Sequence, residues 1–183
     1  MGNILVHEFI SVDGVYENPA WTFDFGFDPK MGETLAAVTG GSKAILLGRR
    51  TYEMFYPAWS GRTVEDDPGA PFFNETPKYV VSSTLQSAEW NNTMILGGYD
   101  AGAIRSLKDD VDGGIYVSGS GTLVRGMLAD GLVDELHLFT YPVALGNGER
   151  LFSEGGPQTK FELAASDAYA NGVVHLSYRP VAV

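Results

Sequence analysis

The sequence predicts an α/β domain built on a mixed, mostly parallel sheet whose last strands are antiparallel. Three observations predict it. Strand-like apolar runs alternate with helix-patterned segments along most of the 183 residues. Residues 115–126, Ile-Tyr-Val-Ser-Gly-Ser-Gly-Thr-Leu-Val-Arg-Gly, carry an apolar strand directly into a Gly-x-Gly turn, which opens a helix ending near Gly131. The final elements are two strand-like runs, residues 160–167 and 172–179, joined around Ala170-Asn171-Gly172, where Asn-Gly signals a hairpin.

The elements follow in order. Residues 3–12 are rich in β-formers, and Asp13-Gly14 supplies a turn before an aromatic segment, residues 16–27. There Trp21, Phe23, Phe25 and Phe27 alternate with polar or small residues, as core or lid positions or as ligand contacts. Asp28 and Pro29 suit the N-cap and first position of a helix reaching about Val38, which Gly40-Gly41 stops. Residues 43–48 contain Ala-Ile-Leu-Leu, a run that suits a central strand buried on both faces. Residues 49–55 read as a helix ended by Pro57, and residues 59–73, with two prolines, two glycines and an acidic run, read as a loop. Strands at 78–82, 93–96 and 135–141 and a short helix at 104–109 complete the pattern. With no internal repeat or low-complexity stretch, residues 1–183 are expected to form one domain.

Composition removes several function classes. Twenty-three acidic residues against twelve basic ones leave a net charge of −11, without the basic stripe that nucleic-acid binding needs. Cysteine is absent, which excludes disulfides, thiolate metal sites and a cysteine nucleophile. No segment approaches the roughly 20 uninterrupted apolar residues of a membrane span, and the first residues lack a basic signal-peptide region. A cytoplasmic protein with no membrane partner is expected. His7, His137 and His175 lie far apart in sequence, each in a strand, so packing or surface placement is expected and no metal site.

Four motifs span almost the whole chain: Ser11-Val12-Asp13-Gly14; Leu47-Gly48-Arg49-Arg50-Thr51-Tyr52-Glu53; the strand followed by Gly119-Ser120-Gly121; and Leu132-Val133-Asp134-Glu135-Leu136 with the later run Pro142 to Phe152. In their order and spacing the sequence resembles the dihydrofolate reductase-like superfamily, and within it the branch containing the C-terminal reductase domain of riboflavin biosynthesis. The resemblance implies a three-layer α/β/α fold, NADPH as hydride donor, a small heterocyclic or sugar-linked substrate, and a homodimer. The alternative is a nucleotide-binding or sensing module of the same fold without catalysis.

Site residues follow from the same resemblance. Phe9, Ser11 and Tyr16 fall on the first strand and the loop after it, where the family binds the nicotinamide carboxamide. Gly48, Arg49, Arg50 and Thr51 lie at a strand end and helix start, where guanidinium and backbone donors suit the diphosphate and the adenosine 2′-phosphate. Ser82 and Ser83 end the next strand, where the family binds that 2′-phosphate. Gly119, Ser120, Gly121 and Thr122 are expected to wrap the diphosphate; folate reductases commonly place a basic residue where Thr122 stands. Asp28 matches the carboxylate that folate reductases carry on the first helix, and it equally fits a simple N-cap. Lys30, Arg62, Arg125, Arg150 and Lys160 remain to hold a substrate phosphate, and they form no cluster in sequence.

Overall fold

The computed structural model describes residues 1–152 and 154–181. Eight strands form one sheet in the order β4-β3-β2-β5-β1-β6-β8-β7: β1 Asn3–Ser11, β2 Ser42–Gly48, β3 Lys78–Val81, β4 Thr93–Gly97, β5 Gly114–Ser118, β6 Glu135–Tyr141, β7 Lys160–Ala168 and β8 Val174–Val181. The first six strands pair in parallel, and β8 runs antiparallel to both β6 and β7. The hairpin closes where Asn171-Gly172 predicts it, with Gly172 at φ 86° and Tyr169 N donating to Val173 O at 2.9 Å.

Crossover direction decides which face each helix covers. Helices α1 (Pro29–Gly40) and α2 (Arg49–Trp59) carry the chain from β1 to β2 and from β2 to β3, packing on one face with α3 (Ala70–Glu75). Helices α4 (Ala101–Asp110) and α5 (Gly121–Ala129) carry it back to β5 and across to β6, and pack on the other. This gives the expected three layers. Strand β2 shows why its run is wholly apolar: Ala44 and Leu46 enter the α4/α5 core, whereas Ile45 and Leu47 enter the α2 core. All four are buried.

Two local expectations are corrected. Helix α2 continues through Pro57 to Trp59. Pro57 sits in the last turn, where its missing N–H deletes one bond, and burial of the face carrying Tyr52, Phe55, Tyr56 and Trp59 offsets that loss. The segment 59–73 is not simply a loop, because α3 begins within it. Phe73 stacks on Trp59 at 4.2 Å, and Asn74 Nδ2 donates to Trp59 O at 3.0 Å, which anchors the segment to the α2 core.

Candidate functional site

The strand order fixes where a ligand crevice can lie. The helices following β2 and β1 pass over one face, and the helix following β5, which lies between them, passes over the other. The loops after these adjacent strands therefore part company, and α/β sheets bind ligands at such reversals, beyond the carboxyl ends of the strands. The loops concerned are Gly48-Arg49-Arg50-Thr51 after β2 and Gly119-Ser120-Gly121-Thr122 after β5.

One side chain joins them. Ser120 Oγ accepts the Gly48 N–H at 2.7 Å and donates to Thr51 Oγ1 at 2.8 Å. To reach back this way Ser120 adopts φ +66°, and Gly119 before it φ +56°. Thr51 Oγ1 would stand 3.0 Å from a Cβ at Gly119, so glycine is required there by both space and conformation. The consequence lies at the helix ends. Ser120 occupies the N-cap position of α5 without capping it, and Gly48, the N-cap of α2, has no side chain to cap with. By contrast α1 and α4 are capped, by Asp28 and Asp100. Two uncapped helix N-termini thus sit side by side, with free N–H groups and partial positive charge suited to an anion.

An internal anion already borders this place. The Tyr16 ring lies directly over Gly121, where a Cβ would overlap it. Tyr16 Oη donates to Glu149 Oε2 at 2.8 Å, and Arg50 Nη1 donates to Glu149 Oε1 at 2.9 Å. Hydrogen bonds from Tyr16 and Arg50 hold the Glu149 carboxyl below its usual range, while burial and then Glu149 push the Tyr16 phenol up to about 12. Glu149 is carried by the segment 145–150, which Asp13 ties to the end of β1. The Asp13 carboxylate accepts from Ser11 Oγ at 2.6 Å, Leu145 N at 3.0 Å and Gly146 N at 2.8 Å, and these bonds hold it well below the usual carboxylate range.

Residues 3–175 match the RibD C-terminal domain family. The chain belongs to that family. Among solved structures, a putative riboflavin biosynthesis protein from Shewanella sp. PV-4 superposes with a TM-score of 0.81 at 18% identity, over 98% of this chain and 99% of that one. A pyrimidine reductase-like protein from Corynebacterium diphtheriae gives 0.67 at 15%, over 100% and 93%. A dihydrofolate reductase from Enterococcus faecalis complexed with NADP(H) gives 0.66 at 14%, over 99% and 98%. The fold is dihydrofolate reductase-like and the family is of the reductase type. The uncharacterized protein YyaP of Bacillus subtilis (strain 168) is 25% identical over 96% of this chain and 93% of its own.

In this RibD C-terminal domain the other expected residues have separate places. Arg49 is spent on Glu53 one turn along α2, at 3.0 Å. Thr122 Oγ1 accepts from Arg125 Nη2 at 3.2 Å. Ser82 Oγ accepts from Leu85 N at 2.9 Å and caps the turn after β3, while Ser83 beside it is exposed. Ser11 Oγ is buried and also accepts the Val15 N–H at 2.9 Å. Phe9 faces the α1 layer, with its ring 5.5 Å from Tyr141, which also meets Trp21 and Phe25. Asp28 is the N-cap of α1: its oxygens accept from Ala170 N and Lys30 N, both at 2.8 Å, and these bonds lower its pKa.

Several groups were not legible as a set. Arg125 and Arg150 meet beside Glu149, Arg125 Nη1 donating to Arg150 O at 3.1 Å, and line a cleft of about 270 Å³ with Gly148, Phe152 and Glu154. The three histidines are not scattered: all are buried, His7 pairs with His137 across β1 and β6, and His137 Nδ1 lies 3.1 Å from His175 Nε2. Among the described residues no group of side chains is arranged to hold a metal ion. Burial drives the His7 pKa down to about 3 and lowers those of His137 and His175. Glu8 is buried at 2% exposure, and its only sequence signal is a lone carboxylate inside the apolar run of β1.

Proposed function

We propose that this domain is an NADPH-dependent reductase that transfers a hydride to a small heterocyclic or sugar-linked substrate, as the phosphoribosylamino-uracil reductases of riboflavin biosynthesis and the dihydrofolate reductases do. The observation that carries the reading is the pair of uncapped helix N-termini joined by Ser120 at the strand-order reversal. Backbone N–H groups of the first turn of α5 would take the diphosphate, with Arg50 and Arg125 as cations on either side. The bound nicotinamide supplies the hydride; the protein's part is to hold the ring against an electrophilic carbon and exclude water. The aromatic wall of Phe9, Trp21, Phe25 and Tyr141 is suited to that exclusion and to a flat substrate.

A specific observation favours the second reading, a nucleotide-binding module without catalysis. Asp28, the expected acid on the first helix, is committed to two backbone N–H groups. Titration with NADPH and NADH, followed by nucleotide fluorescence and by thermal shift, tests the cofactor. Tight binding that favours NADPH is the expected result, and binding of neither nucleotide sinks both readings. Turnover with the riboflavin-pathway intermediate or dihydrofolate then separates the reductase from the sensing module.

A further inference from the structure

Glu8 is buried behind the Gly-x-Gly turn of the crevice and has no part in the scheme above. It follows His7, which forms with Ser118 the last β1–β5 pair, just as Gly119 follows Ser118. Strand alternation turns it to the α4/α5 side, between Val6 and Ile10, the side on which Tyr16 packs. Its Oε1 is buried with no hydrogen-bond partner among the described residues. The groups facing it are the Gly119 N–H from the turn into α5 and the Tyr16 phenol from the loop after β1; the Tyr116 phenol of β5 lies on the opposite face of the sheet, where it bonds His7. None is a cation, and an unpaired buried carboxylate costs several kcal/mol. Burial accordingly pushes the Glu8 pKa up to about 8, so at neutral pH the group is the acid and has an O–H to give.

We propose that Glu8 is a ligand-binding residue of this crevice, a neutral acid whose O–H donates to an oxygen of the nucleotide held at residues 119–122, so that occupancy of the cradle requires a proton on Glu8. The proposal rests on the nucleotide reading and deepens it. A charged carboxylate behind the Gly-x-Gly turn would repel a diphosphate, whereas the neutral acid removes the repulsion and adds a donor. A purely structural carboxyl would be expected to have its free oxygen satisfied within the protein.

The test is the dissociation constant of NADH and NADPH from pH 6.5 to 9.5 for the intact protein, Glu8→Gln and Glu8→Leu. NADH has no group that titrates in this range. Tyr16 and Tyr116 titrate above it and His7, on the opposite face, below it. Lys78, lowered to about 8, lies at the N-terminal end of β3, away from the crevice, and is common to all three proteins. The intact protein should bind evenly up to about pH 8 and then weaken about tenfold per pH unit. Glu8→Gln, which keeps a donor and cannot ionise, should bind with little pH dependence. Glu8→Leu should bind about tenfold more weakly than Glu8→Gln at every pH. A carboxylic-acid infrared band present at pH 7 and absent in Glu8→Gln should shift when nucleotide binds. Binding that is tight but independent of pH, or Glu8→Leu matching Glu8→Gln, overturns the role of Glu8 and leaves the cofactor reading standing. No nucleotide binding at any pH overturns both.

Discussion

Ser120 Oγ stands 2.7 Å from the backbone nitrogen of Gly48, so the residue placed to cap α5 fastens the end of the neighbouring strand instead. The same atom makes the contact to Thr51 at 2.8 Å, and the two loops of the crevice are held as one unit. Ser120→Ala should therefore lower stability by about 1 to 2 kcal/mol, the scale of a buried hydrogen bond and its orphaned partner. It should also weaken nucleotide binding, since it lets the two helix starts move apart. Urea unfolding and a nucleotide titration on the same variant check both effects; unchanged affinity would show that the junction is only structural.

Glu149 occupies Arg50 with a charge of the sign that a phosphate carries. An entering diphosphate must compete with it and displace the Tyr16 ring from above Gly121. Glu149→Gln should raise nucleotide affinity by about three- to tenfold, and Arg50→Ala should lower it, whereas Arg49→Ala, paired within α2, should change it less. Isothermal titration ranks the three. Equal losses for Arg49→Ala and Arg50→Ala would remove the special place given to Arg50.

The buried histidines predict acid sensitivity. Their folded-state pKa values lie below the ordinary 6.5, so stability is present above pH 6.5 and is lost as pH falls towards the folded values, about 3 for His7. Glu8 works the other way: its folded value is raised from 4.5 to about 8, so its contribution is present below 4.5 and lost as pH rises through 8. Between 4.5 and 6.5 Glu8 opposes His7, and His137 with His175 sets the sign. Below 4.5 His7 acts unopposed, at about 1.4 kcal/mol per pH unit. Urea midpoints should fall from pH 7 to pH 4, and more steeply between 6.5 and 4.5 in Glu8→Gln. A flat profile in that variant would mean the histidines are not held neutral.

Strand β7 ends the sheet with nine residues, nearly all exposed, including Leu163 at 53%. A long unpaired edge of this kind templates pairing unless it is covered. A second copy joined there is the proposed occupant, and light scattering should give twice the mass of one chain. Leu163→Lys or Ala165→Pro should return it to a monomer; a monomeric intact protein would dispose of the dimer.

The sequence by itself determined the mixed sheet and its closing hairpin, because both depend on local signals: apolar runs such as Ala44 to Leu47, the Gly-x-Gly turn and Asn171-Gly172; the three layers were implied by the family resemblance. It also placed Gly48, Thr51, Gly119, Ser120 and Gly121 at strand ends, which suffices to locate a crevice once strand order is known. Tertiary structure decided what each side chain does there. Ser120 joins the two loops of the crevice, Asp28 caps α1, and Arg50 finds Glu149 across 99 residues of chain. Glu8 and the three histidines carry no local signature of their roles, since a polar residue in a strand reads the same whether water or another strand covers it. Pairing of β1 with β5 and β6 buries Glu8 and His7 and brings His137 beside them, and β6 with β8 adds His175, so their chemistry comes from neighbours more than a hundred residues away or from a second strand pair.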